Sequence, residues 1–178
     1  DGGRQFTWDA QNRLTQVETD LAALPAGAPA FRVSFGYDDL GRRIWQKAEG
    51  RVAAAWQVVQ VRLFVYHGWN VVAEFDAASP ATGSPRQLVQ SYLWGTDLSG
   101  TPQGAGGVGG LLVLPDHRSG GTGAHGYAYD GNGNVLALVS LSTGTISARY
   151  EYDPFGQPLG SSGPVSRLNP YRFSTKYT

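Results

Sequence analysis

A four-residue pattern recurs along the chain and limits its fold more than any other feature. Two aromatic residues flank one spacer, and a small polar residue follows, as in Phe35-Gly36-Tyr37-Asp38. The second aromatics fall at positions 8, 37, 66, 94, 129 and 152, so the first three intervals are 29, 29 and 28 residues. A repeat length between about 20 and 50 residues is typical of repeat architectures, in which each unit packs on its neighbours.

Each copy of the pattern predicts a strand, a tight turn and a returning strand. Aromatic-x-aromatic spacing puts both rings on one face of a strand. In an Asp-x-x-Gly or Asp-x-x-Asn tetrad, the carboxylate accepts the backbone N–H two residues later, and the Gly or Asn adopts a left-handed conformation. Alternating apolar segments such as Val135–Val139 return antiparallel. The sequence therefore predicts an all-β chain of successive antiparallel hairpins.

The cluster Asp130-Gly131-Asn132-Gly133-Asn134 also has the composition of two ligand-binding loops. An EF-hand calcium loop requires a bidentate Glu at its twelfth position, where this chain has Leu141. A phosphate-binding loop requires a helix after its glycines, whereas Val135–Val139 predicts a strand. A tight turn is the favoured interpretation.

Composition excludes several classes of protein. Among 178 residues, 14 are basic and 14 acidic, and this balance argues against a dedicated nucleic-acid binder or a polybasic membrane-surface protein. Cysteine is absent, so disulfides, thiolate metal sites and cysteine nucleophiles are impossible. No membrane span and no signal peptide are visible. The sequence contains no Met, so we expect a piece of a longer polypeptide.

Two stretches of the chain resemble the Rhs/YD-repeat family. The more specific one covers residues 127–178, which are similar to the region leading into the Rhs-repeat-associated core, and residues 6–18 and 35–47 resemble ordinary repeats. The matching residues of the first stretch are Tyr129-Asp130, Gly133-Asn134-Val135, Tyr150, Tyr152-Asp153-Pro154-Phe155-Gly156 and Asn169-Pro170-Tyr171-Arg172-Phe173. Residues 50–126 resemble the family only in their spacing.

The resemblance implies a curved, twisted sheet that forms part of a spiral β-shell in a secreted or cell-surface bacterial protein. We expect one YD-repeat region over 1–178, with N-terminal repeats at 1–98, a Gly-rich loop region at 99–126 and core-like repeats at 127–178. The expected partners are the rest of the parent polypeptide and an enclosed toxin domain. Complete family members continue into a self-cleavage motif that this sequence does not include, so no enzymatic activity is expected.

Two alternative functions remain open. Exposed rings of Trp45, Trp69 and Trp94 would stack on sugar rings in a carbohydrate-binding or adhesion module, whereas cross-strand packing would make the same rings structural. A hydrolase would use Asp116, His117 or Glu151. Ser119 lies too close to His117 in sequence for a Ser-His-Asp arrangement and lacks a nucleophile elbow.

Ligand and assembly predictions complete the interpretation. His67, His117 and His125 lack the spacing of metal ligands, so neither a metal nor another cofactor is expected. Exposed edge strands in a repeat fragment predict self-association.

Overall fold

A computed structural model describes residues 3–77 and 86–178. The described residues form thirteen β-strands and one short 3₁₀ turn at Phe173–Thr175. The strands are β1 Arg4–Trp8, β2 Leu14–Thr19, β3 Phe31–Tyr37, β4 Arg43–Val52, β5 Ala55–His67, β6 Asn70–Ala77, β7 Arg86–Ser91, β8 Leu93–Trp94, β9 Leu111–Asp116, β10 Gly123–Tyr129, β11 Val135–Ser140, β12 Ile146–Tyr152 and β13 Pro158–Ser162.

Strand order follows chain order. Each strand pairs with the one before and after it, except that β8 lies off this path and pairs with β9, which is also paired with β7. The pairings that link β1 to β5 and β9 to β13 are all antiparallel. The prediction of an all-β chain built from successive antiparallel hairpins is confirmed.

The chain divides into two compact units. The first comprises Asp1–Val65 with Glu74–Gln87. Its buried apolar residues in the described part are few: Ala30, Val61 and Phe64. Arginine side chains cover its aromatic faces, with the guanidinium of Arg32 lying 4.7 Å from the ring centre of Trp56. Charge pairing and cation–π contact therefore replace much of a hydrophobic layer in this unit.

The second unit comprises Tyr66–Ala73 with Leu88–Thr178 and has a full apolar core. Leu111, Leu114, Val135 and Leu138 are completely buried. The residues after β13 add to this core, since Tyr171 is also buried. Burial of large apolar side chains is the main driving force for folding, so this unit has the stronger source of stability.

The segment at 99–126 contains more strand than its composition predicts. Strand β9 and the first half of β10 lie within it, and Ala124 pairs with Pro115 across them. Because glycines dominate the composition of this segment, its short apolar run is easily overlooked, although Leu111 and Leu114 of that run are buried. Pairing with neighbouring strands and burial of these leucines outweigh the weak local preference for strand.

Candidate functional site

The predicted turn at Asp130 closes through its own side chain. One carboxylate oxygen, Oδ1, accepts the backbone N–H of Asn132 and of Asn134, each at 2.9 Å. The other, Oδ2, accepts the side-chain amide of Asn134 at 2.7 Å. The backbone N–H of Gly133 donates to the carbonyl of Asp130 at 3.1 Å. The carboxylate therefore closes the turn by bonds made within five residues, and we name such a five-residue unit an Asp corner.

Three other Asp corners have the same geometry. In each, Oδ1 accepts the backbone N–H groups of the second and fourth following residues at 2.8–3.0 Å. The residue three positions after the aspartate has a positive φ in every case. The three corners span residues 9–13, 38–42 and 153–157.

Hydrogen bonds favour the charged form of the carboxylates of Asp9, Asp38 and Asp130. For Asp9, the backbone hydrogen bond from Arg13 is the largest cause of a lowered pKa. For Asp38 and Asp130, partial burial opposes the shift, but the hydrogen bonds from Arg42 and from Asn134 lower each pKa nonetheless. Because each carboxylate already accepts N–H donors of its own turn, its role is structural.

Glycine at the fourth position of the corner at 130–134 is required by space as well as by conformation. Gly133 has a φ of +75°, and an added Cβ would lie 2.5 Å from Cγ1 of Val108 and 3.0 Å from the backbone nitrogen of Gly109. Any larger residue would displace the neighbouring loop.

The tyrosine that precedes Asp38, Asp130 and Asp153 has a separate role. Tyr37 Oη donates to the carbonyl of Leu14 at 2.6 Å, and Leu14 directly follows the preceding corner. Tyr152 Oη donates in the same way to the carbonyl of Val135 at 3.0 Å. Tyr129 Oη donates to the carbonyl of Leu111 at 2.6 Å. The Tyr-Asp pair thus combines two functions, since aspartate closes one hairpin and tyrosine links it to an earlier strand.

A related loop closed by an aspartate begins at Asp97, just before the Gly-rich segment, and was missed by the sequence interpretation. Asp97 accepts the backbone N–H groups of Ser99, Ala105 and Gly107 at 2.7–3.0 Å. Burial opposes the shift, but hydrogen bonds from Ser99, Gly107 and Ala105 lower the pKa of Asp97 to about 2. The sequence does contain an Asp-x-x-Gly tetrad here, Asp97-Leu98-Ser99-Gly100. Its aspartate lies three positions after Trp94, whereas the corner aspartates directly follow an aromatic residue.

Residues 169–178, the C-terminal segment, contact the core of the second unit through a buried amide. Asn169 is fully buried, and its Oδ1 accepts the hydroxyl of Tyr127 at 2.7 Å. Its Nδ2 donates to the carbonyl of Tyr171 at 2.7 Å. The ring of Tyr171 lies edge-on to Tyr92 and Trp94, with centroid distances of 5.1 and 5.5 Å. Sequence reasoning matched these residues to a family motif but could not assign their contacts.

The same segment joins the loop closed by Asp97 to the corner at 130–134. Thr175 Oγ1 accepts the backbone N–H of Gly109 and donates to the carbonyl of Gly133, both at 2.8 Å. The backbone N–H of Ser174 donates to Oδ1 of Asn134 at 2.8 Å. These contacts order a glycine-rich loop that composition alone marks as irregular.

The three candidate carbohydrate-binding tryptophans lie in different environments. The Trp45 ring lies against Gly36 on the neighbouring strand, where an added Cβ would be 1.9 Å from the indole nitrogen. Trp94 donates its indole N–H to the carbonyl of Val71 at 2.7 Å. Trp69 exposes 62% of its surface beside the turn between β5 and β6. Of the three rings, that of Trp69 is exposed, and those of Trp45 and Trp94 are half-buried.

Of the candidate hydrolase residues, Asp116 and His117 have hydrogen-bond partners, and Glu151 is exposed. Asp116 accepts hydrogen bonds from Arg118 Nε at 2.8 Å and from the backbone N–H of Thr122 at 3.0 Å. Burial opposes the shift, but the bonds from Arg118 and Thr122 lower the pKa of Asp116. His117 Nε2 lies 2.8 Å from Oγ of Ser91, and Glu151 lies exposed on β12.

A buried histidine forms a network that the sequence interpretation did not anticipate. His125 lies between Ser147 Oγ, 2.9 Å from Nδ1, and Thr122 Oγ1, 3.0 Å from Nε2. Burial lowers the pKa of His125, although the charge of Asp116 opposes this shift. Ser147 is itself buried and donates to the carbonyl of Leu138 at 3.2 Å.

Within residues 3–77 and 86–178, no group of three or more His, Asp or Glu side chains is arranged to hold a metal ion. The same residues include no helix of the length and hydropathy needed to cross a membrane.

Comparison with known proteins identifies relatives that are much longer. No family model matches the chain. It is 28% identical over 177 residues to the tRNA3(Ser)-specific nuclease WapA of Bacillus spizizenii, covering 98% of this chain and 6% of that protein. The tRNA nuclease WapA of Bacillus subtilis strain 168 matches with the same identity and coverage. The chain thus spans about one-sixteenth of the length of these curated relatives.

Solved structures share the fold at low sequence identity. The crystal structure of TcdB2-TccC3-Cdc42 matches with a TM-score of 0.66 and 17% identity, covering 98% of this chain and 8% of that one. The structure of TcdB2-TccC3 matches with a TM-score of 0.64 and 16% identity, again over 98% of this chain and 8% of that one. These likenesses support an Rhs-like fold for the chain.

Proposed function

We propose that the chain is a scaffold segment of a longer, secreted or surface-exposed bacterial polypeptide, in which the hairpins form part of a shell around a toxin domain. The main support is the double use of the Tyr-Asp pair. Aspartate closes a hairpin and tyrosine bonds to an earlier strand, as in Tyr152 with Val135. Because the aspartate and the tyrosine keep these two roles from copy to copy, their function is to build the sheet. The proposal includes no catalytic role and no cofactor for this segment.

Exposed aromatic residues on β1 give a second line of support. Phe6 and Trp8 expose 48% and 53% of their surfaces. Trp8 occupies the position at which Tyr37 and Tyr152 bond to an earlier hairpin. A neighbouring hairpin of the parent polypeptide would cover this face. In the isolated chain, a second copy would do so, which sedimentation equilibrium would detect as a dimer.

Limited proteolysis of the parent polypeptide tests the scaffold proposal. Asp38→Ala together with Asp130→Ala opens two corners and should make an otherwise protected enclosed domain cleavable. Asp39→Ala is the matched control because Asp39 is exposed and lies next to a corner aspartate. Equal protection of the enclosed domain in the double variant and the control would contradict the shell role.

Carbohydrate binding is a second candidate because of one residue. Trp69 presents an exposed ring, and its backbone N–H is fixed by Gln103 Oε1 at 3.3 Å. A fixed, exposed ring suits stacking on the apolar face of a sugar. Glycan-array binding that is lost in Trp69→Ala and retained in Leu93→Ala, another exposed apolar side chain, would favour this function. If the chain binds no glycan on the array, carbohydrate binding is no longer a candidate function.

A further inference from the structure

An open cavity lies in the first unit, where the loop that joins β2 to β3 meets the turn that joins β4 to β5. It has a volume of about 320 Å³ and is lined by Leu21, Leu24, Ala28, Ala30, Arg51 and Ala54. All of these side chains except that of Arg51 are apolar. Sites for small molecules are concave and mostly apolar, with volumes of about 300–1,000 Å³ and a few polar groups that orient the ligand. The cavity has the size and the lining of such a site.

Arg51 has no counter-ion in the part of the chain that the structure describes. No carboxylate of residues 3–77 and 86–178 forms an ion pair with it. Its guanidinium carbon lies 6.0 Å from the centre of the Trp56 ring, at the outer limit of cation–π contact. Glu49, two positions earlier on β4, is already paired with Arg32 at 2.9 Å. The charge of Arg51 is therefore available to an anion in the cavity.

Hydrogen bonds order the loop that forms one side of the cavity. The backbone N–H of Arg51 donates to the carbonyl of buried Ala30 at 3.0 Å, which fixes the end of the loop to β4. At the start of the loop, Oδ1 of Asp20 accepts the backbone N–H of Ala22 at 3.1 Å and the side-chain amide of Gln5 at 3.3 Å. The loop's own carboxylate thus bonds to groups other than Arg51, and the cavity wall is held in place without a ligand.

The turn on the other side holds two alanines in a conformation that favours glycine. Val52 pairs with Ala55, so Ala53 and Ala54 form a two-residue hairpin turn, with φ values of +47° and +69°. Turns of this kind favour Asn-Gly, because a Cβ atom makes positive φ costly. Strained backbone of this sort is concentrated at binding and catalytic sites. Here the strained turn places Ala54 in the lining of the cavity.

We propose that this cavity binds an alkyl carboxylate, whose hydrocarbon chain packs on the leucines and alanines and whose carboxylate pairs with Arg51. Removing the chain from water provides affinity, and charge-assisted hydrogen bonds to the guanidinium select the anion. A medium-chain fatty acid has both features. The site goes beyond the scaffold role, because no Asp corner and no tyrosine before a corner lines the cavity.

Isothermal titration calorimetry with three matched probes tests the proposal. Octanoate has the alkyl chain and the charge, octanamide has the same chain without the charge, and acetate has the charge without the chain. Octanoate, used below its micelle concentration, should bind at least about tenfold more tightly than either of the others. Octanoate that does not bind, or that binds no more tightly than octanamide or acetate, would overturn the proposal.

A charge-removing variant tests the role of Arg51. Arg51→Gln breaks no ion pair of the described residues and should reduce the affinity for octanoate to that for octanamide. Arg149→Gln is the matched control, because Arg149 is also exposed but does not line the cavity. Equal effects of the two variants on octanoate binding would contradict a specific site.

Two glycine variants separate the turn's strain from its contact with the ligand. Ala53→Gly and Ala54→Gly both relieve a positive φ, so each should raise the midpoint of thermal unfolding. Only Ala54 lines the cavity, so only Ala54→Gly should weaken octanoate binding. Equal octanoate affinities in the two variants would contradict the placement of the ligand against the turn.

A further probe identifies the source of the carboxylate. A tetrapeptide that ends in leucine with a free C-terminal carboxylate presents the same chemistry on a polypeptide. It should bind more weakly than octanoate, because its polar backbone has no partner in the apolar lining. A peptide that binds more tightly than octanoate would overturn the assignment to a fatty acid and would assign the cavity to the C-terminus of a polypeptide.

Discussion

The two units of the chain use the same corners but differ in what surrounds them. In the first unit, Tyr37 of the half-buried strand β3 bonds to Leu14 of the half-buried strand β2, and the described core contains only a few buried apolar residues. In the second unit, Tyr129 makes an equivalent bond to Leu111, which is completely buried. The comparison separates two contributions: corners define where the hairpins are, and the core determines how strongly the sheet resists unfolding.

Truncating a side chain in each unit should give the largest difference in the loss of unfolding free energy. Leu138→Ala removes a fully buried side chain in the second unit and should lower the free energy of unfolding by about 3 kcal/mol. Val59→Ala, in the first unit, removes a side chain that is 72% exposed and should change it by less than about 0.5 kcal/mol. Urea denaturation followed by tryptophan fluorescence measures both values. Similar losses for the two variants would contradict the proposed difference in cores.

Removing the tyrosine hydroxyls should give a smaller difference. Burial raises the pKa of both Tyr129 and Tyr37. Tyr129→Phe leaves the carbonyl of buried Leu111 without its donor and should cost about 1.5 kcal/mol, whereas Tyr37→Phe should cost about 0.5 kcal/mol because water can replace the hydroxyl. The same urea experiment gives both numbers. A larger loss for Tyr37→Phe would reverse the interpretation.

Acid should affect the units in a definite order. The folded-state pKa of His125 is lowered from 6.5 by burial, so its contribution to stability is complete above pH 6.5 and decreases as the pH falls below that value. The folded-state pKa of Glu49, in the first unit, is lowered from 4.5 by its hydrogen bond to Arg32, so its contribution is lost only as the pH falls below 4.5. Between these values only the His125 contribution decreases.

Amide hydrogen-exchange protection factors at pH 7, 5.5 and 4 measure this order. Amides of β10 and β12 should lose protection between pH 7 and 5.5, while those of β3 and β4 should keep theirs. His125→Gln is the control that removes the titrating group. If the loss on β10 persists in this variant, a different group is responsible.

Local patterns in the sequence were sufficient to predict the hairpins at the four Asp corners. Asp-x-x-Gly and Asp-x-x-Asn tetrads encode a turn within five residues, because the hydrogen bonds that the Asp130 carboxylate accepts all come from inside the corner. The contacts of Asn169 could not be predicted in this way, since its partner Tyr127 lies 42 residues away. The roles of Trp45 and Trp94 depend similarly on the strand placed beside them. Pairing between distant segments is set by the assembled sheet, and spacing alone does not identify it.

Exchange of the corner amides tests the central claim most directly. In Asp130→Ala, the amides of Asn132 and Asn134 lose the carboxylate oxygen that accepts both at 2.9 Å, whereas Asp130→Asn retains a neutral acceptor. We expect exchange at Asn134 to be at least about tenfold faster in Asp130→Ala, an intermediate rate in Asp130→Asn, and an unchanged rate at Gln157 of the next corner. Unchanged exchange at Asn134 in Asp130→Ala would show that the aspartate does not close the hairpin.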